Sequence, residues 1–262
     1  MIRRILTTLA SVLALSGPAL ASDMLTAQLR PGWRLPNGDH MAALHLKLAP
    51  GWKTYWRAPG DAGVPPEFDW SGSGNAASVT ISWPTPRVFE LSGMRSIGYV
   101  QEVVLPLRVT PRGNGDIRLK GEMMLGLCKD ICMPETLRIT ADLPADNTAP
   151  DPVIAAALAS VPFTEAEAGV RNVTCDIAPA AQGLRLTARI DMPKSGGHEE
   201  TVIEAGNAAI WASEPETTRQ GRTLVTSADL VHLDGGAIAL DRSQVRITVL
   251  GKKYAVDIQG CD

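Results

Sequence analysis

The sequence is as informative for what it lacks as for what it contains. Beyond residue 21 no apolar run approaches the roughly 20 residues that a membrane-crossing helix requires, so stable membrane insertion is not expected. There is no basic excess either. With 25 Lys and Arg against 28 Asp and Glu, and a net charge of -3, the chain offers no field for nucleic acid, and its expected partners are proteins. Histidine is scarce: His40 and His45 lie far upstream of every cysteine, and His198 and His232 fall in the C-terminal half. A zinc site on the cysteines would therefore want for ligands, and no metal or other cofactor is expected. Of six tryptophans, five (Trp33, Trp52, Trp56, Trp70 and Trp83) fall before residue 84, which concentrates the bulky core formers in the first half.

What is present begins with a targeting signal. Residues 1 to 21, MIRRILTTLASVLALSGPALA, combine two early arginines, a short apolar stretch and a terminal Ala-Leu-Ala, the pattern of a cleaved secretory signal peptide. Thr7, Thr8, Ser11, Ser16, Gly17 and Pro18 interrupt that stretch, which argues against a retained anchor. The expectation is an exported protein beginning at Ser22.

From residue 40 onward, apolar and polar residues alternate in short runs: His40 to Leu48, Ser78 to Trp83, Glu102 to Val109, Asp116 to Leu125 and Glu135 to Leu143. Period-two alternation broken by Gly, Pro and Asn turns predicts half-buried strands joined by loops and hairpins. Residues 22–145 are thus expected to form an antiparallel β-sandwich. A linker over residues 146–169 follows, in which Asp151 caps a short helix with Pro152 at its first position and Val153 to Ser160 in its body. Residues 170–262 then hold strand-like runs at Asn172 to Ile177, Leu184 to Ile190, Glu200 to Glu204, Ala208 to Ala212, Thr223 to Ser227, Ala237 to Leu240, Val245 to Leu250 and Tyr254 to Ile258. They predict a second, smaller sandwich, making the whole chain all-β.

Four cysteines, all downstream of the signal, favour pairing in an oxidising compartment. Cys175 and Cys261 bracket the second domain, with nothing motif-like around either, and are assigned a structural disulfide. Cys128 and Cys132, in GLCKDICMPE, differ. The alternation on both sides places them at the turn of a hairpin, where facing residues approach closely enough for a disulfide. A bond closing so small a loop adds little entropic stabilisation, so a purely structural purpose is weakly motivated. Redox exchange is one reading, since an exposed pair is open to thiol attack. Cu(I) binding is another, because CKDIC resembles the C-x-x-x-C-P pattern of SCO copper chaperones and Met123, Met124 and Met133 are soft ligands nearby. That family sets its cysteines on a thioredoxin fold before a helix, whereas a strand pattern follows here. A noncatalytic interaction module with two static disulfides is a third reading.

Four ordered blocks carry a broader likeness: GWKTYWRAPGDAGVPPEFD at residues 51–69, WPTPRVF at 83–89, GYVQEVVLPLRV at 98–109 and LCKDICMPE at 127–135. They resemble the N-terminal periplasmic domain of DsbD, most closely its ScsB-like relatives, over most of residues 24–143. The resemblance implies an immunoglobulin-like periplasmic domain and a thiol:disulfide interchange activity, without cofactor, that receives electrons from a membrane-embedded thiol transporter of the DsbD or CcdA type. Acceptors implied are periplasmic thioredoxin-fold or other disulfide-bearing proteins, such as isomerase-like, cytochrome c maturation or peroxide-handling proteins. It also implies Cys132 as the attacking thiol, Cys128 as its resolving partner, and shielding aromatics, for which Tyr55, Trp56, Phe89 and Tyr99 are the candidates. The chain departs from the full family protein in having no transmembrane segment and no thioredoxin-like C-x-x-C domain, so the donor is expected to be a separate protein.

Overall fold

A computed structural model describes residues 20–61, 63–91 and 94–262. The expected signal peptide lies outside the described residues apart from Leu20 and Ala21. The first half contains eleven strands: β1 (Leu20–Ala21), β2 (Leu25–Arg34), β3 (His40–Leu48), β4 (Lys53–Tyr55), β5 (Glu67–Asp69), β6 (Ala76–Ile81), β7 (Arg87–Leu91), β8 (Met94–Val100), β9 (Glu102–Pro111), β10 (Ile117–Cys128) and β11 (Cys132–Leu143). One sheet runs β1-β2-β3-β9-β6; the other runs β11-β10-β4-β8-β7, with β5 also on β10. Their inner faces share one core, including Leu29, Leu44, Leu107, Ile117, Leu119, Leu125 and Leu127. This is the immunoglobulin-like sandwich that the alternation and the family likeness led us to expect.

Strand β3 departs from simple alternation, being buried at every position but Lys47. Its second face is covered by helix α1 (Pro152–Leu158), whose Ile154 and Ala157 pack on Met41, Ala43 and Val104. The helix starts where its sequence dictates: the Asp151 carboxylate accepts from the amides of Val153 and Ile154 at 2.8 and 3.4 Å, satisfying two otherwise orphan donors. Asp151 also pairs with Arg30 of β2 at 2.7 Å. The segment between the two halves is therefore docked on the first sandwich, and its helix ends two residues short of the expected Ser160.

The second half contains β12 (Phe163–Thr164), α2 (Glu165–Ala168), β13 (Asn172–Pro179), β14 (Leu184–Asp191), β15 (Glu200–Glu204), β16 (Ile210–Ala212), β17 (Glu216–Gln220), β18 (Thr223–His232), β19 (Arg246–Leu250) and β20 (Ala255–Gln259). Sheets β12-β20-β19-β15 and β13-β14-β18-β16, the latter with β17 on β18, enclose a second core built on Leu186, Ile190, Leu224, Ile247 and Ile258. The strand expected at Ala237 to Leu240 does not form. Its alternation is real, since Ile238 and Leu240 lean on the second core, but no neighbouring strand pairs with it. Val202, Leu250 and Ala255 of this half join the first core, so apolar contact is continuous between the two.

Cys175 of β13 is bonded to Cys261 across 86 residues, with Cα atoms 5.6 Å apart. Closing so long a loop restricts the unfolded chain strongly. Replacing both by alanine should lower stability by about 4 kcal/mol in the chain-entropy account, read as a reduced denaturant midpoint with an m-value that rises as the unfolded chain expands.

Candidate functional site

The β10–β11 hairpin sets the site. Its register runs without a slip from Ile117 opposite Leu143 to Cys128 opposite Cys132. Direct opposition brings the two Cα atoms to 4.1 Å, and the sulfurs are bonded. Lys129, Asp130 and Ile131 form the connection, all exposed. The partners differ sharply in surroundings: Cys128 is 0 % exposed, while Cys132 is exposed. On its other side β10 is covered by β4, with Leu127 opposite Thr54 and Cys128 opposite Lys53, which is why alternation gives way to continuous burial over Leu125–Cys128.

Strand β4 ends in Tyr55, and Tyr55 reaches the sulfurs. Its hydroxyl donates to Cys128 Sγ at 3.0 Å and lies 3.2 Å from Cys132 Sγ. Burial pushes the phenol above its ordinary pKa, so at neutral pH it keeps its proton and remains a donor. The ring occupies a slot made by missing side chains: a Cβ on Gly126 would meet Tyr55 Cδ2 at 2.7 Å and one on Gly63 would meet Cδ1 at 2.9 Å. Thr54 adds a buried hydrogen bond from Oγ1 to the Gly126 carbonyl at 3.0 Å, tying β4 to β10 beside the pair. A hydroxyl held this way would stabilise a thiolate more than a neutral thiol, because a hydrogen bond to an ionised acceptor is the stronger.

The other aromatic candidates lie elsewhere. Trp56 and Tyr99 belong to the core, Tyr99 donating its hydroxyl to the Pro84 carbonyl at 2.7 Å. Phe89 stands on β7, two strands from β4, with Lys53 Nζ 5.4 Å from its ring centre. Thus Lys53, opposite Cys128, links Phe89 to the site indirectly. The stem of Lys129 lies over Gly51. Met123 points into the core, whereas Met133, directly after Cys132, is 41 % exposed. His40 and His45 are buried in β3 and bonded to the Pro31 carbonyl and to Glu102, each at 2.6 Å. Among the described residues no three His, Cys, Asp or Glu side chains are grouped to hold a metal ion.

Sequence reasoning missed Gly63, Val64, Thr54 and Gly126. Their roles depend on how β4 crosses β10, and no local pattern encodes that crossing. Ile131 (74 % exposed) and Met133 flank Cys132, and Val64 (39 %) lies against Gly126 two residues before Cys128, so exposed apolar side chains surround the hairpin end.

Fold and site define a β-sandwich with a disulfide at a hairpin end, joining an exposed cysteine to one buried beneath an aromatic hydroxyl. Residues 24–144 match the family described as thiol:disulfide interchange protein DsbD, N-terminal, and this segment belongs to it. The structure as a whole is similar to the N-terminal periplasmic domain of ScsB from Proteus mirabilis, at 24 % sequence identity over 93 % of this chain and 96 % of that one, with a TM-score of 0.71. At that identity the likeness establishes a shared fold spanning both halves. No curated protein sequence matches the chain.

The geometry makes a specific expectation for Tyr55→Phe. A hydrogen bond to a charged acceptor contributes about 1.5 kcal/mol at the low end of its range, so losing it should slow alkylation of reduced Cys132 at neutral pH by roughly tenfold. Iodoacetamide labelling followed on the Cys132 peptide checks this, and an unchanged rate would remove Tyr55 from thiol activation.

Proposed function

We propose that this protein is a periplasmic thiol:disulfide oxidoreductase that carries electrons between partner proteins through Cys128 and Cys132. The observation that carries the reading is the asymmetry of the pair within a DsbD N-terminal segment: an exposed Cys132 bonded to a fully buried Cys128, with both sulfurs within reach of the Tyr55 hydroxyl. Exchange needs approach to a sulfur from solvent, and of the two residues Cys132 is the exposed one, which supports Cys132 as the exchanging residue and Cys128 as the resolving one.

In the reducing half-reaction, a donor thiolate attacks Cys132 Sγ and the Cys128–Cys132 bond breaks, with Cys128 leaving as a thiolate toward the Tyr55 hydroxyl. The donor's second thiolate then attacks the mixed disulfide, releasing Cys132 and leaving the donor oxidised. In the oxidising half, the Cys132 thiolate attacks an acceptor disulfide and expels one acceptor thiolate. Cys128 closes on Cys132 and expels the second, so two electrons reach the acceptor and the two protons released by the cysteines balance its new thiols.

The donor is proposed to be a membrane-embedded thiol transporter of the DsbD or CcdA kind, and the acceptors periplasmic disulfide-bearing proteins, including thioredoxin-fold ones. No described helix is long and apolar enough to cross a membrane. The rim of Ile131, Met133 and Val64 suits apolar contact around a transient mixed disulfide. Trapping tests the proposal. Cys128→Ser should accumulate reductant-sensitive adducts through Cys132, absent from Cys128→Ser/Cys132→Ser. If no such adduct forms in a periplasmic extract and Cys132→Ser retains full function in cells, exchange is excluded.

A further inference from the structure

The contact between the two halves is built on arginines of the first half and acids of the second. Arg57, two residues after Tyr55, sends Nε and Nη2 to both oxygens of Glu204 at 3.0 to 3.2 Å, and Nη2 also reaches Thr248 Oγ1 at 3.2 Å. Asp257, itself paired with Arg246, lies 3.8 Å from the same guanidinium. Arg95 of β8 is more enclosed, its side chain 6 % exposed. Its Nε bonds Glu200 at 3.0 Å and its Nη2 bonds the Thr201 carbonyl at 3.2 Å. Both acids sit on β15, and Val202 between them joins the first core.

These two arginines bracket the strand that carries Tyr55. β4 is three residues long and its ladder to β8 ends where Tyr55 faces Gly98. Beyond it the Trp56 amide donates to the Ile97 carbonyl at 3.0 Å, and the Ile97 amide donates to the Pro59 carbonyl at 2.8 Å. Trp56 is buried, and its indole N–H has no acceptor among the described residues, so packing and the Arg57 guanidinium, 4.0 Å from the ring centre, hold it in place. The ladders to β8 and β10 and the Gly126 slot fix Tyr55 on the hairpin side, and the chain leaving β4 is fixed from the other side. Its exit through Arg57 and its neighbour's start at Arg95 are both fastened to β15.

We infer that Arg57 and Arg95 are positioning residues, gripped by Glu204 and Glu200, through which the second β unit holds the Tyr55 hydroxyl against the Cys128–Cys132 sulfurs. This deepens the exchange reading and rests on it: the second unit's contribution to exchange is to keep the thiol environment preorganised. The coupling is reciprocal in principle, so a force or partner acting on β15 alters the reactivity of Cys132.

The test is a double-mutant cycle on alkylation of reduced Cys132 by iodoacetamide, read on its peptide. Glu200→Ala/Glu204→Ala should slow labelling by roughly the tenfold expected of Tyr55→Phe. Added to Tyr55→Phe, the same pair should slow it no further, because both changes remove one interaction. Glu200→Gln/Glu204→Gln, which keeps size and polarity, should fall between and serves if the alanine pair does not fold. A wild-type rate in the folded glutamine or alanine pair, or effects that multiply with Tyr55→Phe, would overturn the inference. Labelling involves no partner protein, so failed trapping sinks the exchange role without touching this result, and an unchanged labelling rate sinks the positioning role without touching trapping.

Discussion

The register of the β10–β11 hairpin is the constraint from which the rest of the site follows. Twelve consecutive facing pairs hold it, with Leu119, Met123, Leu125, Leu137, Ile139 and Leu143 all buried on the core side. A slip of one residue would turn these side chains outward and part Cys128 from Cys132 at once. The energy that fixes the cysteine geometry thus comes from apolar burial along the hairpin, and the short-loop disulfide is free to open and close without unfolding its frame. The frame also explains the difference between the sulfurs, because β4 seals β10 on one side while β11 lies at the sheet edge.

The two disulfides sit in different physical contexts. Cys175 and Cys261 join β13 of the second unit to the chain beyond its last strand, closing a long loop beside a core that already includes Cys175. Cys128 and Cys132 close a loop of three residues at an exposed turn. The first constrains the unfolded chain; the second does so little and instead joins a buried cysteine to an exposed one. Tyr55 adds what the hairpin lacks, a fixed donor toward the sulfurs where no helix dipole is available.

Much of this was legible in the sequence because alternation and turn residues act locally. His40 to Leu48 and Glu200 to Glu204 match their strands to the residue, and Asp151-Pro152 marked the helix start through capping chemistry. The hairpin bearing the cysteines could be read for the same reason. Less legible were elements that exist through distant partners. β4 and β5 are three residues each and form only against β8 and β10, while Ala237 to Leu240 alternates without finding a ladder. Within the site, Tyr55 was named through the family likeness, but its approach to both sulfurs depends on Gly126 and Gly63, glycines that read as ordinary punctuation until β4 is laid across β10. Trp56 and Tyr99, named through the same likeness, are packed in the core.

The central claim is that Cys128 and Cys132 form a working couple inside a frame that does not depend on their bond. The most direct measurement is the reduction potential of that pair, by equilibration in redox buffers with mass-spectrometric readout of each cysteine. The account predicts a value within the range of dithiol oxidoreductases, about -120 to -270 mV, with Cys175–Cys261 remaining oxidised throughout. A Cys128–Cys132 potential below about -300 mV, in the range of structural disulfides, would contradict it.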